Sequence, residues 1–379
     1  MTKMFRYGYA LLALLSCTAI AQPVSAGDKP PNKFKDNFKP FLTRGETSWE
    51  IDVGARMNDF DWNIASDITG TQTPNIISEL TWDGVVLVEA GGELRHLQPM
   101  DISKFIKGGL HLEAGVRGGI PVSGDNQDSD YLGDNRTLEF SRSDNSGNRG
   151  YAIGASAATG YKIMLTGDTT QRARAIAKSP TPKTAQGRAR KAQAMRRALN
   201  NTTPAISVTP LVGYTWDEQN YKITDGRQTI DLLGTGGILG DPDCTCIPGL
   251  DSEYTAEWWG PFLGLEGEIA GKKNMFRVRG EYQYLDYYAE AIWNLRTDLR
   301  QDPSFEHEAE GNGILLSAEY AYALDVDYEL TLDASYHMRE AEDGTSTGYR
   351  TTGAPPAVQQ LNEVNDKSYA LRLGIRHDW

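Results

Sequence analysis

Two carboxylates stand one residue apart at Asp128 and Asp130, beside Tyr131, in the polar stretch GDNQDSDYLGDN of residues 124–135. Carboxylates this close together can help to activate a water molecule, bind a cation, or keep a surface loop in solution. The first role also needs a group that accepts a proton near neutral pH, which in proteins is most often histidine. The role of the pair therefore depends on which groups the surrounding strands and loops bring close to it.

A calcium site is one interpretation of the same stretch. Four residues fall at positions 1, 3, 6 and 12 of a calcium-binding loop, namely Asp128, Asp130, Gly133 and Glu139. Position 5 should supply an oxygen ligand, but Leu132 stands there. The match is therefore incomplete.

The N-terminus determines the compartment. It is positively charged, continues into an apolar run over residues 9–20 and ends in the small residues 24–26, the pattern of a cleaved secretory signal. We interpret residues 1–26 as this signal and residues 27–46 as a periplasmic N-terminal segment. Cys17 follows Leu-Leu-Ser, so a lipoprotein cleavage site is the alternative.

The composition favours a large antiparallel β protein. The 379 residues include 39 Gly, 18 Tyr and 8 Trp, and the net charge is −13. Such an acidic chain is not expected to bind nucleic acid.

Alternation of apolar and polar residues is the main indication of the fold. In TSWEIDVGARM (47–57), Trp49, Ile51 and Val53 share one face of a strand, and Glu50 and Asp52 share the other. The pattern returns in three further stretches, at residues 109–118, 275–284 and 368–379. Because charge recurs on the second face of nearly every strand, the pattern predicts a transmembrane antiparallel up-and-down β-barrel with a polar interior.

Residues 47–379 are predicted to form a barrel that spans the outer membrane. About ten strands are expected near residues 47–64, 78–97, 105–123, 148–166, 204–224, 254–271, 275–295, 306–324, 326–340 and 366–379. The number is even, and short links alternate with long polar ones, as in bacterial outer-membrane barrels, where the long loops lie outside. This topology places the aspartate pair at the extracellular rim, where the third strand enters the second outer loop.

Several motifs then resemble those of one family, the omptins, ten-stranded outer-membrane barrels that include surface proteases. The motifs are SELTW (78–82), the Asp-x-Asp-aromatic run at 128–131, Ser-Arg at 141–142, GYTWDEQNYKITDG (213–226) and PFLGLEG (261–267). The resemblance implies an omptin-like fold, peptide hydrolysis at the extracellular mouth, and contact with outer-membrane lipid and lipopolysaccharide.

The catalytic set that the resemblance implies is incomplete. The aspartate pair is present, but the second pair of the family, Asp-x-His, has no match in residues 287–299, which contain Arg296 and Asp298 but no histidine. Ser143 stands where the omptin Ser-Arg-His motif ends in histidine. His307, at the start of the eighth strand, is the nearest candidate base. We therefore predict a non-proteolytic barrel with a structural or surface-interaction role. The alternative is an omptin-type endopeptidase that uses Asp128 and Asp130, with His307 or an unrecognised carboxylate in place of the missing base.

The charged interior gives a second alternative, a narrow solute channel. A barrel of about ten strands is narrow, so its charged rows are expected to cross the lumen and pair, forming a plug.

The aspartate pair also has a purely structural interpretation. In that interpretation, it solubilises an outer loop or pairs with lumen arginines such as Arg117.

Residues 171–201 break the strand pattern, within an insertion at 168–203 that is expected to face the periplasm. The segment is rich in Arg and Lys, has no acidic residue, and is divided by Pro180 and Pro182. It is predicted to be a solvated, partly helical loop, or alternatively a basic arm that contacts anionic lipid headgroups or cell-wall polymer.

Cys244 and Cys246 lie in the predicted third outer loop. The cell exterior is oxidising, so a local disulfide between them is expected. The loop contains no histidine that could complete a metal site, and neither a metal nor a cofactor is predicted.

Overall fold

The computed structural model describes residues 47–103, 106–166, 179–180, 182–200, 204–232, 246–271, 273–324 and 327–378. The predicted signal and periplasmic segments at 1–46, together with Cys244 and Trp379, lie outside the described residues and stay predictions. Of the helices in the described part of the chain, none combines the length and apolar character needed to cross a membrane.

Ten antiparallel strands close into a ring, which confirms the predicted all-β barrel. The strands are β1 (Thr47–Ile64), β2 (Ser78–Pro99), β3 (Gly108–Gly133), β4 (Thr137–Met164), β5 (Ala205–Asp231), β6 (Asp251–Ala270), β7 (Asn274–Ile292), β8 (Phe305–Ala323), β9 (Tyr328–Gly348) and β10 (Ala357–Asp378), with helix α1 (Ala185–Asn200) between β4 and β5. Each strand pairs with its neighbours in sequence, and the ring closes where β1 pairs with β10, with Ser48 opposite Asp378.

The outer surface carries the apolar residues that the alternation predicted. Ile51 and Val53 are each 58% exposed, whereas Asp52 between them is 7% exposed and faces the interior. An apolar belt of this kind is stable only against lipid. Outward-facing aromatic residues flank the belt, among them Tyr282 and Tyr284 towards one rim and Tyr320 towards the other, as in the aromatic girdles of outer-membrane barrels.

The two rims differ in their connections. One rim carries the links 65–77, 134–136, 232–250, 293–304 and 349–356, and the other carries 100–107, 165–204, 271–273 and 324–327. Two of the four links on the second rim, 271–273 and 324–327, have only three and four residues, and by the usual rule of short inner turns we take it as the periplasmic rim. The same rim carries α1, and the periplasmic position of the basic insertion stays a prediction.

The strands extend further beyond the membrane than the sequence predicted. Residues 124–147 were expected to form most of a polar outer loop, but β3 continues to Gly133 and β4 begins at Thr137, so only residues 134–136 turn. The prediction was wrong because the outward faces of strands above the membrane meet water, where the apolar half of the alternation is lost. The aspartate pair therefore lies inside β3, and its extended backbone is not that of a calcium loop.

The barrel interior has two layers. Near the extracellular end, a cluster of buried aromatic and aliphatic side chains crosses the lumen, and it includes Phe60, Trp62, Leu80, Trp82, Tyr221, Tyr254, Trp258 and Tyr287. Towards the periplasm, the interior is ionic, with buried Arg–carboxylate pairs that include Arg339–Asp366, Arg277–Glu319 and Arg376–Glu319. The predicted plug of ion pairs is present, and the aromatic layer above it was not predicted.

Candidate functional site at the extracellular mouth

The aspartate pair faces the interior at the extracellular end of β3. Asp128 lies opposite Leu80 of β2, and Asp130 lies opposite Ser78. Leu80 is a buried interior residue, and because alternate residues of a strand share a face, Asp128 and Asp130 both point to the same side as Leu80. The hydroxyls of Ser78 and Ser141 hydrogen-bond to the Asp130 carboxylate.

The charged partner of the pair comes from the loop between β7 and β8. Arg296 donates two hydrogen bonds to Asp298, from Nε to Oδ1 and from Nη2 to Oδ2, each 2.9 Å long. These bonds raise the pKa of the Arg296 guanidinium; burial opposes the shift, and the negative charges of Asp298, Asp130 and Asp128 add to it. Arg296 therefore stays a cation and acts electrostatically on the aspartate pair.

His307 lies below the mouth, inside the aromatic layer. Its side chain is completely buried, and its Nδ1 lies 2.8 Å from the hydroxyl of Tyr254, which in turn lies 2.6 Å from the hydroxyl of Tyr287. The edge of its ring faces Trp62, with the centroids 4.7 Å apart. Bulk water does not reach this imidazole, so the geometry gives no support to the suggestion that His307 acts as the missing base.

The other four histidines lie farther from the mouth. His96 and His111 belong to the periplasmic ends of β2 and β3, His377 to the periplasmic end of β10, and His337 to the middle of β9. All five histidines of the sequence are thus within the described residues, and none presents an accessible imidazole beside the aspartate pair.

Arg117 does not pair with Asp128 or Asp130, so that part of the structural interpretation is wrong. Its guanidinium instead donates two hydrogen bonds to Asp52, at 2.6 and 2.9 Å, in the lower part of the lumen. The register of β3 separates the two sites, because Arg117 lies opposite Gly91 of β2 whereas Asp128 lies opposite Leu80.

A cavity of about 280 Å³ remains within the lumen, and its lining includes the charged side chains of Asp52, Arg56, Glu89, Arg279 and Arg372. Most of these charges already belong to ion pairs, such as Arg56 with Glu89 at 2.8 Å and Arg372 with Glu89 at 3.3 Å. The cavity is polar and can hold several water molecules.

Cys246 is disulfide-bonded. It lies beside the outer end of β5, where it forms an isolated bridge with Arg227. Because its partner lies outside the described residues, the pairing of Cys244 with Cys246 stays a prediction. No group of His, Cys, Asp and Glu side chains in the described part of the chain has the arrangement of a metal site.

The closed ten-stranded ring, its apolar outer belt and its ionic interior together define an outer-membrane β-barrel. The family model described as Pom: Protochlamydia outer membrane protein matches residues 50–174 and 196–378, and the chain belongs to this family. The cell outer membrane is therefore its location, as predicted. No curated protein matches the chain in sequence.

A solved structure, that of OmpT, supports the omptin-like fold. The outer membrane protease OmpT from Escherichia coli is similar with a TM-score of 0.58 and 9% identity, over 91% of this chain and 99% of that chain. The transport unit of the autotransporter AIDA-I from Escherichia coli reaches a TM-score of 0.32 at 9% identity, covering 98% and 97%. OprG from Pseudomonas aeruginosa reaches 0.29 at 8% identity, covering 89% and 98%. At these identities, the likeness to OmpT concerns the fold alone.

Two features of the site were missed in the sequence. Ser78 and Ser141, which flank Asp130, belong to the motifs SELTW and Ser-Arg, but nothing in their spacing assigned them to a carboxylate. His307 of β8 contacts Tyr254 of β6, which lies 53 positions earlier in the sequence. Only the register of the closed ring brings these two side chains together.

Proposed function

We propose that the protein is a non-proteolytic outer-membrane barrel whose extracellular half has a structural or surface-interaction role. The observation that carries this proposal is the composition of the mouth, where an Arg–Asp ion pair stands opposite the aspartate pair in place of an Asp–His pair. Contact with outer-membrane lipid and with lipopolysaccharide, through the outward face of the strands, is part of the proposal.

The chemistry of Arg296 supports the absence of proteolysis. Hydrolysis by an activated water needs a group that accepts a proton near neutral pH, and a guanidinium with a raised pKa stays protonated. Burial raises the pKa of Asp130 and, together with the charge of Asp130, raises the pKa of Asp128 well above its ordinary value; the positive charge of Arg296 opposes these shifts only in part.

The outer loops support a structural role because hydrogen bonds tie them together. The carboxylate of Asp134, in the turn between β3 and β4, accepts bonds of 3.0 Å from the Thr73 hydroxyl and from the Asn75 backbone amide of the loop between β1 and β2. On the other side of the rim, the backbone amide of Thr351 donates to the Asp298 carbonyl at 3.0 Å. Loops held in this way present a fixed surface to the exterior.

A whole-cell cleavage assay tests the proposal. Cells that carry the wild-type barrel, the D128A/D130A variant or no barrel are incubated with a fluorogenic peptide containing basic cleavage sites, with omptin-expressing cells as the positive control. We expect the wild-type and variant cells to cleave no faster than the barrel-deleted strain. Cleavage by the wild type that disappears in D128A/D130A contradicts the proposal and favours an omptin-type endopeptidase.

A narrow passage is the second candidate function, favoured by the charged cavity in the lumen. Ions would also have to pass the aromatic layer, in which Trp82 and Tyr254 are completely buried. Planar-bilayer recordings of the purified protein test this candidate. Regular conductance steps from the wild type support it, and a silent bilayer in which the protein is shown to be folded rejects it.

A further inference from the structure

Helix α1 and the segment before it form the strongest positive charge on this acidic chain. Residues 171–201 contain nine Arg and Lys and no acidic residue, and deducting these nine charges from the net charge of −13 leaves −22 on the remainder. The family match is interrupted over residues 175–195, between its two matched stretches. The family model therefore does not match residues 175–195, the middle of the basic segment.

The insertion is much longer than the strand connection needs. The same rim joins β6 to β7 through residues 271–273 and β8 to β9 through residues 324–327, and antiparallel neighbours require only a few linking residues. Residues 165–204 join β4 to β5 instead. The extra chain is thus available for a task other than closing the hairpin.

The sequence of α1 specifies a helix of its own. The hydroxyl of Thr184 accepts a 3.1 Å hydrogen bond from the Gly187 backbone amide, which caps the first turn. Ala, Arg, Lys and Gln, all strong helix formers, make up most of its 16 residues. Arg188 donates to the Lys183 carbonyl at 2.7 Å, and the Lys191 amino group donates to the Ser179 carbonyl, so that these contacts fold the preceding segment against the helix.

The distribution of charge around α1 decides between two anionic partners. At about 100° per residue, the basic positions 188, 190, 191, 196 and 197 leave no gap wider than about 100° around the axis. A helix that lies on a membrane needs a continuous apolar face, and α1 does not have one. A helix that is charged on all sides suits a polymer network that surrounds it.

We infer that α1 is a docking arm for the carboxylate-bearing glycan–peptide polymer of the periplasmic cell wall, and that it tethers the barrel to this polymer. The bonds that Arg188 and Lys191 make to backbone carbonyls leave their positive charges in place, and Arg190 is exposed. The contact is electrostatic and therefore weakens as salt is added.

Sedimentation with isolated cell-wall sacculi tests the arm in the full-length purified protein. The variant R188Q/R190Q/K191Q removes three charges while glutamine keeps the helix propensity. The matched control R149Q/R227Q/R350Q removes three charges from the extracellular half. We expect the wild type and the control to sediment with sacculi at low salt, and the α1 variant to bind about fivefold more weakly for each charge removed.

Two further measurements keep the inference open to refutation. The charge-conserving variant R188K/R190K should bind like the wild type, and a heat-dependent gel shift confirms that every variant is a folded barrel. Equal sedimentation of the wild type and the α1 variant overturns the inference. Binding of the wild type to vesicles containing phosphatidylglycerol, without binding to sacculi, overturns it as well and identifies a lipid surface as the partner.

Discussion

Arg296 holds Asp298 through two parallel hydrogen bonds of 2.9 Å in the loop between β7 and β8. Bidentate geometry fixes the orientation of both side chains. The arrangement links the β7–β8 loop to the aspartate pair of β3 through charge.

Removing the Arg296 side chain should raise the pKa of Asp298. Its hydrogen bonds lower the pKa of Asp298 below the ordinary value of 3.8. Stability from this carboxylate is therefore present above about pH 3.8 and is lost as the pH falls through the lower, folded value. Because both side chains are about half exposed, this contribution is under about 1 kcal/mol. In R296Q, carboxyl NMR in micelles should show the pKa of Asp298 returning towards 3.8.

Asp67 is the internal control for that titration. Its pKa is lowered chiefly by the hydrogen bond from the Thr69 hydroxyl, within its own loop. R296Q should leave the pKa of Asp67 unchanged, and an equal movement of both carboxyls would indicate a general loosening of the outer loops instead.

Removing the Tyr254 hydroxyl should destabilise the barrel. This hydroxyl bonds both His307 and Tyr287 in a fully buried site, so Tyr254→Phe leaves polar atoms without a partner and should cost about 1–3 kcal/mol. Urea unfolding in detergent measures the difference. Tyr282→Phe is the matched control, because it removes an exposed hydroxyl that bonds Asn312; equal losses in the two variants would contradict the special role of the buried site.

Removing a buried lumen arginine should strongly lower the free energy of unfolding of the barrel. Arg339 is buried and bonds the equally buried Asp366 at 2.7 Å. Arg339→Met leaves that carboxylate uncompensated, which should lower the free energy of unfolding by about 3–5 kcal/mol. Adding Asp366→Asn should recover part of the loss. A double variant as unstable as the single one would show that packing of Arg339 over Trp258, rather than charge, is what was removed.

Introducing arginine on the outward face should be costly within the lipid-facing belt and close to neutral above it. Val53 lies outward within the belt, and Glu340 lies on the outward face of β9 above it. Val53→Arg should cost about 2–4 kcal/mol on folding into lipid vesicles, whereas Glu340→Arg should be close to neutral. Similar costs at both positions would mean that the belt does not face lipid.

Opening the aromatic layer should change ion flow. Trp82 is completely buried and packs against Phe60, Tyr221 and Tyr254, with ring centroids 5.0 to 5.6 Å apart. Trp82→Ala leaves a void in the layer and costs about 3–5 kcal/mol, so we expect conductance in planar bilayers to rise above that of the wild type. Tyr284→Ala removes an aromatic ring from the lipid face and should leave conductance unchanged. A silent, folded Trp82→Ala barrel would mean that the ionic layer alone closes the lumen.

The sequence predicted the barrel well because the alternation is strongest where strands cross lipid, as at Ile51 and Val53. It failed at Asp125–Asp144, where both faces of β3 and β4 are polar above the membrane and the period vanishes. The aspartate pair was recognised by its spacing, but its partners Ser78 and Arg296 come from other strands and loops. Such neighbours depend on the register across the ring, which local pattern does not encode.

The seam between β1 and β10 has a consequence for biogenesis. Ser48 meets Asp378, so the first strand finds one of its two neighbours only when the last strand arrives. Until then the growing sheet exposes two unsatisfied edges, each a template for wrong pairing with another polypeptide. Chain termini so distant in sequence also make closure a slow, late step. A chain that lacks β10 would keep both edges unpaired, and we expect it to aggregate.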